Sequence, residues 1–200
     1  RRFRSDRSCA RQGQTPPDHA MAKHRLLFVC LGNICRSPMA EGAFRRVAQE
    51  EGLLDRFEID SAGLGNWHVG QAPDTRAQAA AADRDIDISS LSARQVTPAD
   101  FAHFDLLLAM DSMNHAELTE LAPPDAQHKI RCFLDFAPHA NTRDVPDPFY
   151  GGREGFDHAL DLIEEAARGL LTELLDGEGA RHGEVAGRPS RLGLRPRTSG

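Results

Sequence analysis

The stretch Leu26–Gly42, LLFVCLGNICRSPMAEG, decides how the rest of the chain is read. A short apolar run ends at Cys30. A loop containing Gly32 and Asn33 follows, and Arg36, Ser37 and Pro38 lead into a segment with helical spacing. A short apolar run bounded by a glycine-containing turn is the pattern of a buried strand. Ser37 and Pro38 predict an N-cap and first helical residue, with Gly52 closing the helix. Strand, glycine loop and helix N-terminus together form a cradle for an anion, because successive backbone N–H groups and the helix dipole converge there. Gly32 and Asn33 are residue types that tolerate unusual backbone angles. Arg36 adds a planar fork suited to two oxyanion oxygens. No G-K-[ST] follows, so this is not a nucleotide-binding P-loop.

The cradle gives Cys30 a chemical meaning. A thiol at a helix N-terminus beside a cation ionises more readily than a free one, so Cys30 is expected to be a thiolate at neutral pH. A thiolate beneath an oxyanion cradle predicts nucleophilic attack on phosphorus, with Ser37 donating its hydroxyl to the sulfur. Cys-x5-Arg alone is weak, at about 0.4 matches by chance; the strand, the Gly-Asn loop and Ser-Pro make it specific. Attack on a phosphate ester also calls for a proton donor to the leaving group. Asp147, in DVPDPFYGG (144–152), is the candidate, held extended by Pro148. Phe149 and Tyr150 follow it, and Trp67 sits in GNWHVG; all three fall in loops and are placed to wall a slot for an aryl group.

Further along, FEIDSAG (57–63), FDLLLAM (104–110) and KIRCFLDF (129–136) read as strands. Helices are expected after Asp74, after a Thr97–Pro98–Asp100 capping box, over SMNHAELTEL (112–121), and over the amphipathic segment 155–175. This alternation implies parallel strands with right-handed crossovers: an open α/β sheet with helices on both faces. Ligands on such sheets bind beyond the C-terminal strand ends, where Cys30 lies.

The 200 residues and 40% hydrophobic content suit one globular domain with tails. Residues 1–20 and 177–200 are Arg-rich, without apolar period, and are expected to be disordered, the first as an extension upstream of a natural start at Met21. The net charge is −6, but the body, 21–176, carries 14 basic against 26 acidic residues. An acidic body argues against nucleic acid as a partner. No apolar run approaches the roughly 18 residues of a membrane span, and no secretory h-region follows the basic start. Four cysteines without Cys-x2-Cys pairs and without an export signal point to a reducing, cytoplasmic setting.

VCLGNICRSPMAE, DSAG, WHVG, ARQVTPADF, AMDSMN and DPFYG occur in an order that resembles the low-molecular-weight protein tyrosine phosphatases, from about Arg25 to Leu174. The resemblance implies a four-stranded parallel sheet of the phosphotyrosine phosphatase I-like, Rossmann-like three-layer class. It implies hydrolysis of phosphotyrosine in protein substrates through a phosphocysteine, with no cofactor and no metal. It implies Cys30 as nucleophile, Arg36 as phosphate clamp and Asp147 as general acid and then base. Leu31, Gly32, Asn33, Ile34 and Cys35 would form the phosphate loop, supported by Ser37 and Ser61, with Asp111 near its base. Trp67, Phe149 and Tyr150 would form the aromatic rim. Many family members have a histidine where this chain has Leu91, so the loop network is expected to be simpler, or completed by another group. Phe149 stands where animal members have Tyr. Arsenate reduction on the same fold would need two further downstream cysteines, and only Cys132 is there. Phosphoarginine hydrolysis is associated with Thr at the Ile34 position. A non-catalytic phosphate-binding module would lack Cys30 or Asp147. Cys35 has two readings, redox guard for Cys30 or packing beneath the loop.

Overall fold

The computed structural model describes residues 23–183. Four strands, β1 (His24–Cys30), β2 (Phe57–Gly63), β3 (Leu106–Ala109) and β4 (Ile130–Cys132), form one parallel sheet in the order β2-β1-β3-β4. Five helices accompany them: α1 (Arg36–Glu50), α2 (Thr75–Ala82), α3 (Pro98–His103), α4 (Ser112–Leu121) and α5 (Arg153–Gly183). The expected open four-stranded sheet with helices on both faces is the observed architecture.

The two-residue alternation of β1 builds the layers. Leu26, Phe28 and Cys30 point into a core shared with α1, α2 and α5. Leu27 and Val29 point into a second core with Phe101 of α3 and Leu118 of α4. Phe28 packs edge-on against Phe133 with ring centroids 5.1 Å apart, and Phe44 against Phe57 at the same separation. Each fully buried phenylalanine contributes on the order of 2–3 kcal/mol. The Cβ missing from Gly169 of α5 would collide with the Phe136 carbonyl oxygen, so only glycine lets this helix approach so closely.

Three expectations are corrected. Helix α1 begins at Arg36 with Cys35, not Ser37, at its cap position; the Ser37 hydroxyl is drawn into the site instead. The strand expected over 129–136 pairs only at Ile130–Cys132, then tightens into a 3-10 turn at Phe133–Phe136 whose apolar side chains pack beside α5. The helix expected over 155–175 is longer at both ends, running from Arg153 to Gly183. The extension expected over 1–20, and the tail beyond Gly183, lie outside the described residues. The Thr97 cap forms as expected, with Asp100 accepting from the Thr97 N–H at 2.7 Å.

Candidate active site

Strand β1 ends at Cys30 in the middle of the sheet. Its neighbour Val29 pairs with Ala62 on one side and Ala109 on the other. The loop 31–35 then turns into α1. Asn33 makes the turn with φ of +56°, one of two non-glycine residues of positive φ among those described. Asparagine tolerates this left-handed region better than most residues. The loop is fastened from outside by Leu64 and Gly65, which donate to the Cys30 and Leu31 carbonyls at 3.0 and 2.9 Å.

Asn33 is the hub beneath the loop. Its Nδ2 donates to Ser37 Oγ at 2.9 Å and to Ser61 Oγ at 3.0 Å, and its Oδ1 accepts from the Arg94 N–H at 2.9 Å. Both amide hydrogens and the carbonyl are therefore used, which fixes the orientation of the amide. Cys30 Sγ accepts from the Asn33 N–H at 3.3 Å and lies 3.0 Å from Ser37 Oγ. Since Ser37 already accepts from Asn33, its own hydrogen goes to the sulfur at 3.0 Å or to the Ala62 carbonyl at 3.4 Å, and the sulfur is the nearer acceptor.

The network beneath the loop continues through Ser61 to Glu41. Ser61 donates to Glu41 Oε2 at 2.7 Å, and Arg45 closes the chain by donating to Glu41 Oε1 at 2.8 Å. Glu41 is 2% exposed. Burial pushes its carboxyl above the ordinary range, and the bonds from Ser61 and Arg45 oppose this. Leu91 itself packs against the core.

Arg36 is equally enclosed. Its Nη1 donates to Asp111 Oδ2 at 2.5 Å and to the Val145 carbonyl at 3.2 Å, and its Nη2 to Asp147 Oδ2 at 3.1 Å. Burial works against its charge, but the Cys30 sulfur and the two carboxylates outweigh burial and raise its pKa. Asp111 reaches it from the N-cap of α4, where its other oxygen accepts from the Asn114 N–H. Asp147 comes from the loop before α5, and its Oδ1 accepts from the Phe149 N–H at 3.1 Å.

One cleft is lined by Cys30, Leu31, Gly32, Ile34, Cys35, Arg36, Trp67, Asp147, Phe149 and Tyr150. Ten of the residues singled out from the sequence thus meet at one surface. Asn33, Ser37 and Ser61 are buried below that surface, and Asp111 touches it only through Arg36. The thiol of Cys35 is buried, and burial, with Asp74 and Cys30 nearby, pushes it up to about 12. Among the described residues no group of three or more His, Cys, Asp or Glu is arranged to hold a metal ion.

Sequence reasoning overlooked Glu41, His68 and the pair Asp74–Arg76. Glu41 could have been found from its helical spacing, four residues after Ser37 and four before Arg45. His68 also lines the cleft, its ring against Gly32 and its Nδ1 3.0 Å from Gln71 Oε1. Only its place beside Trp67 signalled this.

Known proteins similar to this chain fall in one family. A family model described as low molecular weight phosphotyrosine protein phosphatase matches residues 25–179. The chain is 41% identical over 163 residues to a low molecular weight protein-tyrosine-phosphatase of Streptomyces coelicolor, covering 78% of this chain and 99% of that protein. It is 44% identical over 142 residues to a low molecular weight phosphotyrosine protein phosphatase of Schizosaccharomyces pombe, covering 70% and 90%. A crystal structure of a protein tyrosine phosphatase from Entamoeba histolytica superimposes with a TM-score of 0.76 at 40% identity, covering 78% of this chain and 99% of that one.

Proposed function

This chain belongs to the low molecular weight phosphotyrosine protein phosphatase family, and we propose that it hydrolyses phosphotyrosine in proteins with Cys30, Arg36 and Asp147 as its catalytic residues. The observation that carries the reading is the convergence on one cleft of a hydrogen-bonded cysteine sulfur, a buried guanidinium and an exposed-loop carboxyl.

In the first step Cys30 Sγ attacks phosphorus. The S–P bond forms as the P–O bond to the aryl group breaks. Asp147 gives its proton to the departing oxygen, so tyrosine leaves as the neutral phenol. The Asn33 N–H and the Ser37 hydroxyl hold the sulfur in place before attack. They stabilise it again as the leaving group of the second step. Arg36 gathers the non-bridging oxygens as charge redistributes over them, which is the electrostatic work of phosphoryl transfer. Its bonds to Asp111 and Val145 aim the fork in advance. A phosphoryl group bound there offers Arg36 new acceptors, which frees Asp147 from its ion pair to serve the ester oxygen. In the second step the Asp147 carboxylate takes a proton from water, the water oxygen attacks phosphorus, the S–P bond breaks, and inorganic phosphate departs.

The mouth supports a finer reading of the substrate. Leu31, Trp67, Phe149 and Tyr150 form an exposed apolar rim. The nearby guanidiniums of Arg36 and Arg76 are already held by carboxylates. Acidic residues flanking a phosphotyrosine therefore find no unengaged partner in either arginine, whereas apolar flanks find surface to bury. The preferred substrate is a phosphotyrosine with uncharged, apolar neighbours. No helix among the described residues is long and apolar enough to cross a membrane, and buried free thiols at Cys30, Cys35 and Cys132 fit a reducing, cytoplasmic setting.

The test is a panel of phosphotyrosine, phosphoserine and phosphoarginine, with arsenate as a fourth compound, run on the wild type and Cys30→Ser. Turnover confined to phosphotyrosine and lost in Cys30→Ser is expected. Turnover surviving in that variant would sink the mechanism, and preference for phosphoarginine would reassign the substrate.

A further inference from the structure

Asp147 sits on a loop outside the sheet, with its side chain 42% exposed. A general acid has to come within hydrogen-bond reach of its target, and a misplacement of about 1 Å costs on the order of a hundredfold in rate. Something has to hold this loop against the phosphate loop. We propose that Asp74 and Arg76 form a positioning bracket that sets the acid loop, 147–151, at a fixed distance from the phosphate loop, 31–36. The proposal rests on the catalytic reading above.

Both ends of the bracket are anchored. Asp74 donates its N–H to the Ile34 carbonyl at 2.8 Å, which ties it to the phosphate loop. Arg76 Nη1 donates to the Phe149 and Gly151 carbonyls at 3.0 and 3.2 Å, which ties it to the acid loop. Between the anchors the two side chains are locked fork to fork. Arg76 Nε donates to Asp74 Oδ1 at 3.0 Å and Nη2 to Oδ2 at 2.7 Å. The guanidinium also lies over the Phe149 ring at 5.5 Å and the buried Phe156 ring at 4.9 Å. Since the Phe149 N–H in turn donates to Asp147, a continuous set of polar contacts runs from Ile34 to the carboxyl of the acid.

Five donors in one plane suit Arg76 to a carboxylate and two carbonyls at once. A lysine ammonium has the charge but not the fork. Arg76 does not line the cleft with the reacting groups. Its effect passes through Asp147, which makes it a positioning residue, and the distinguishing readout is dependence on the leaving group.

The experiment measures kcat/KM of the full chain on phosphotyrosine, whose phenol needs a proton, and on 2,4-dinitrophenyl phosphate, whose phenol does not. Arg76→Met is expected to lose about tenfold or more on the first and less than about twofold on the second, a fraction of the effect of removing a general acid outright. Asp74→Asn keeps the helix cap, and Arg76→Lys keeps the charge; both are expected to show the same pattern at smaller size, and they carry the test should Arg76→Met not fold. The rate of Cys30 alkylation by iodoacetate is expected to stay at the wild-type value in all three. Equal losses on the two esters, no loss on phosphotyrosine, or slowed alkylation would overturn the bracket. Asp147→Ala serves as reference. Should it also lose equally on both esters, the acid assignment falls and the bracket with it; should it alone show the leaving-group pattern, only the bracket falls.

Discussion

Replacing Asn33 by alanine removes the hub under the phosphate loop, and the structure sets the size of the effect. Two buried hydrogen bonds, to Ser37 and Ser61, and a partly buried one from Arg94 disappear. At about 1 kcal/mol each they account for about 3 kcal/mol, and the Arg94 N–H left without its acceptor adds about 1 kcal/mol more. Alanine at φ of +56° costs about a further 1 kcal/mol. The expected loss is about 5 kcal/mol, a large share of the stability of an ordinary domain. Asn33→Gly relieves only the backbone cost and should be about 1 kcal/mol more stable than the alanine variant. Asn33→Asp separates folding from chemistry. It keeps the acceptor for Arg94, and Ser37 can turn to donate to it, but the Ser61 hydrogen stays with Glu41, so stability should fall by about 2–3 kcal/mol, still less than in the alanine variant. But Ser37 then spends its hydrogen on the carboxylate instead of Cys30, and a negative charge lies beneath the attacking sulfur, so its kcat should fall furthest relative to its stability. Urea unfolding at pH 7 and turnover of an aryl phosphate measure both quantities. An alanine variant within about 0.5 kcal/mol of wild type, or an aspartate variant with wild-type turnover, would refute the hub.

Other outcomes follow from single features. Burial holds the Cys35 thiol up to about 12 against an ordinary 9.0, so at pH 7.5 its thiolate fraction is roughly a thousandfold below that of an exposed thiol; limiting iodoacetamide should label Cys30 and spare Cys35 by mass spectrometry. The same shift carries a sign for stability. Below pH 9 both folded and unfolded chains keep the proton, but between about 9 and 12 the unfolded chain loses it first, so Cys35 makes stability fall by up to about 1.4 kcal/mol per pH unit. Cys35→Ala should flatten that slope in urea titrations, and an unchanged slope would count against the burial. Gly169→Ala drives a methyl into the Phe136 carbonyl and should cost about 3 kcal/mol, whereas Gly152→Ala, which meets nothing within 4 Å, should stay within about 0.5 kcal/mol of wild type. Among phosphotyrosine peptides, those with apolar flanks should show lower KM than those with acidic flanks, and the reverse order would remove the apolar rim from the account of specificity.

Much of this site could be read locally. Strand, loop and helix follow one another in Leu26–Gly42, and the chemistry of Cys30 and Arg36 depends on that local order. Asp147 and its aromatics likewise declare themselves within a few residues. What was not legible depends on segments distant in the chain. Ser37 looks like a cap because serine before proline usually is one, but the pull of Asn33 and Cys30 on its hydroxyl wins once β1 and α1 are packed. Glu41 looks like a surface acid until Ser61, 20 residues on, is brought beneath it. Arg76 finds its carbonyls 73 and 75 residues away, a relation no local pattern carries. The strand at 129–136 was overextended because its apolar residues satisfy a helix partner, not a strand neighbour.

The seating of Cys30 at the end of a strand paired on both sides separates the two halves of the reaction by durability. Backbone amides of a central strand exchange with solvent only through large-scale opening, while an external loop opens far more readily. The nucleophile therefore stays assembled until the domain melts, and the proton donor is the part that warming disturbs first. As temperature approaches the melting point, the chain should pass through a range in which esters that need no proton are still cleaved and phosphotyrosine no longer is. The order in which activities fade on heating thus reflects the position of each group in the sheet.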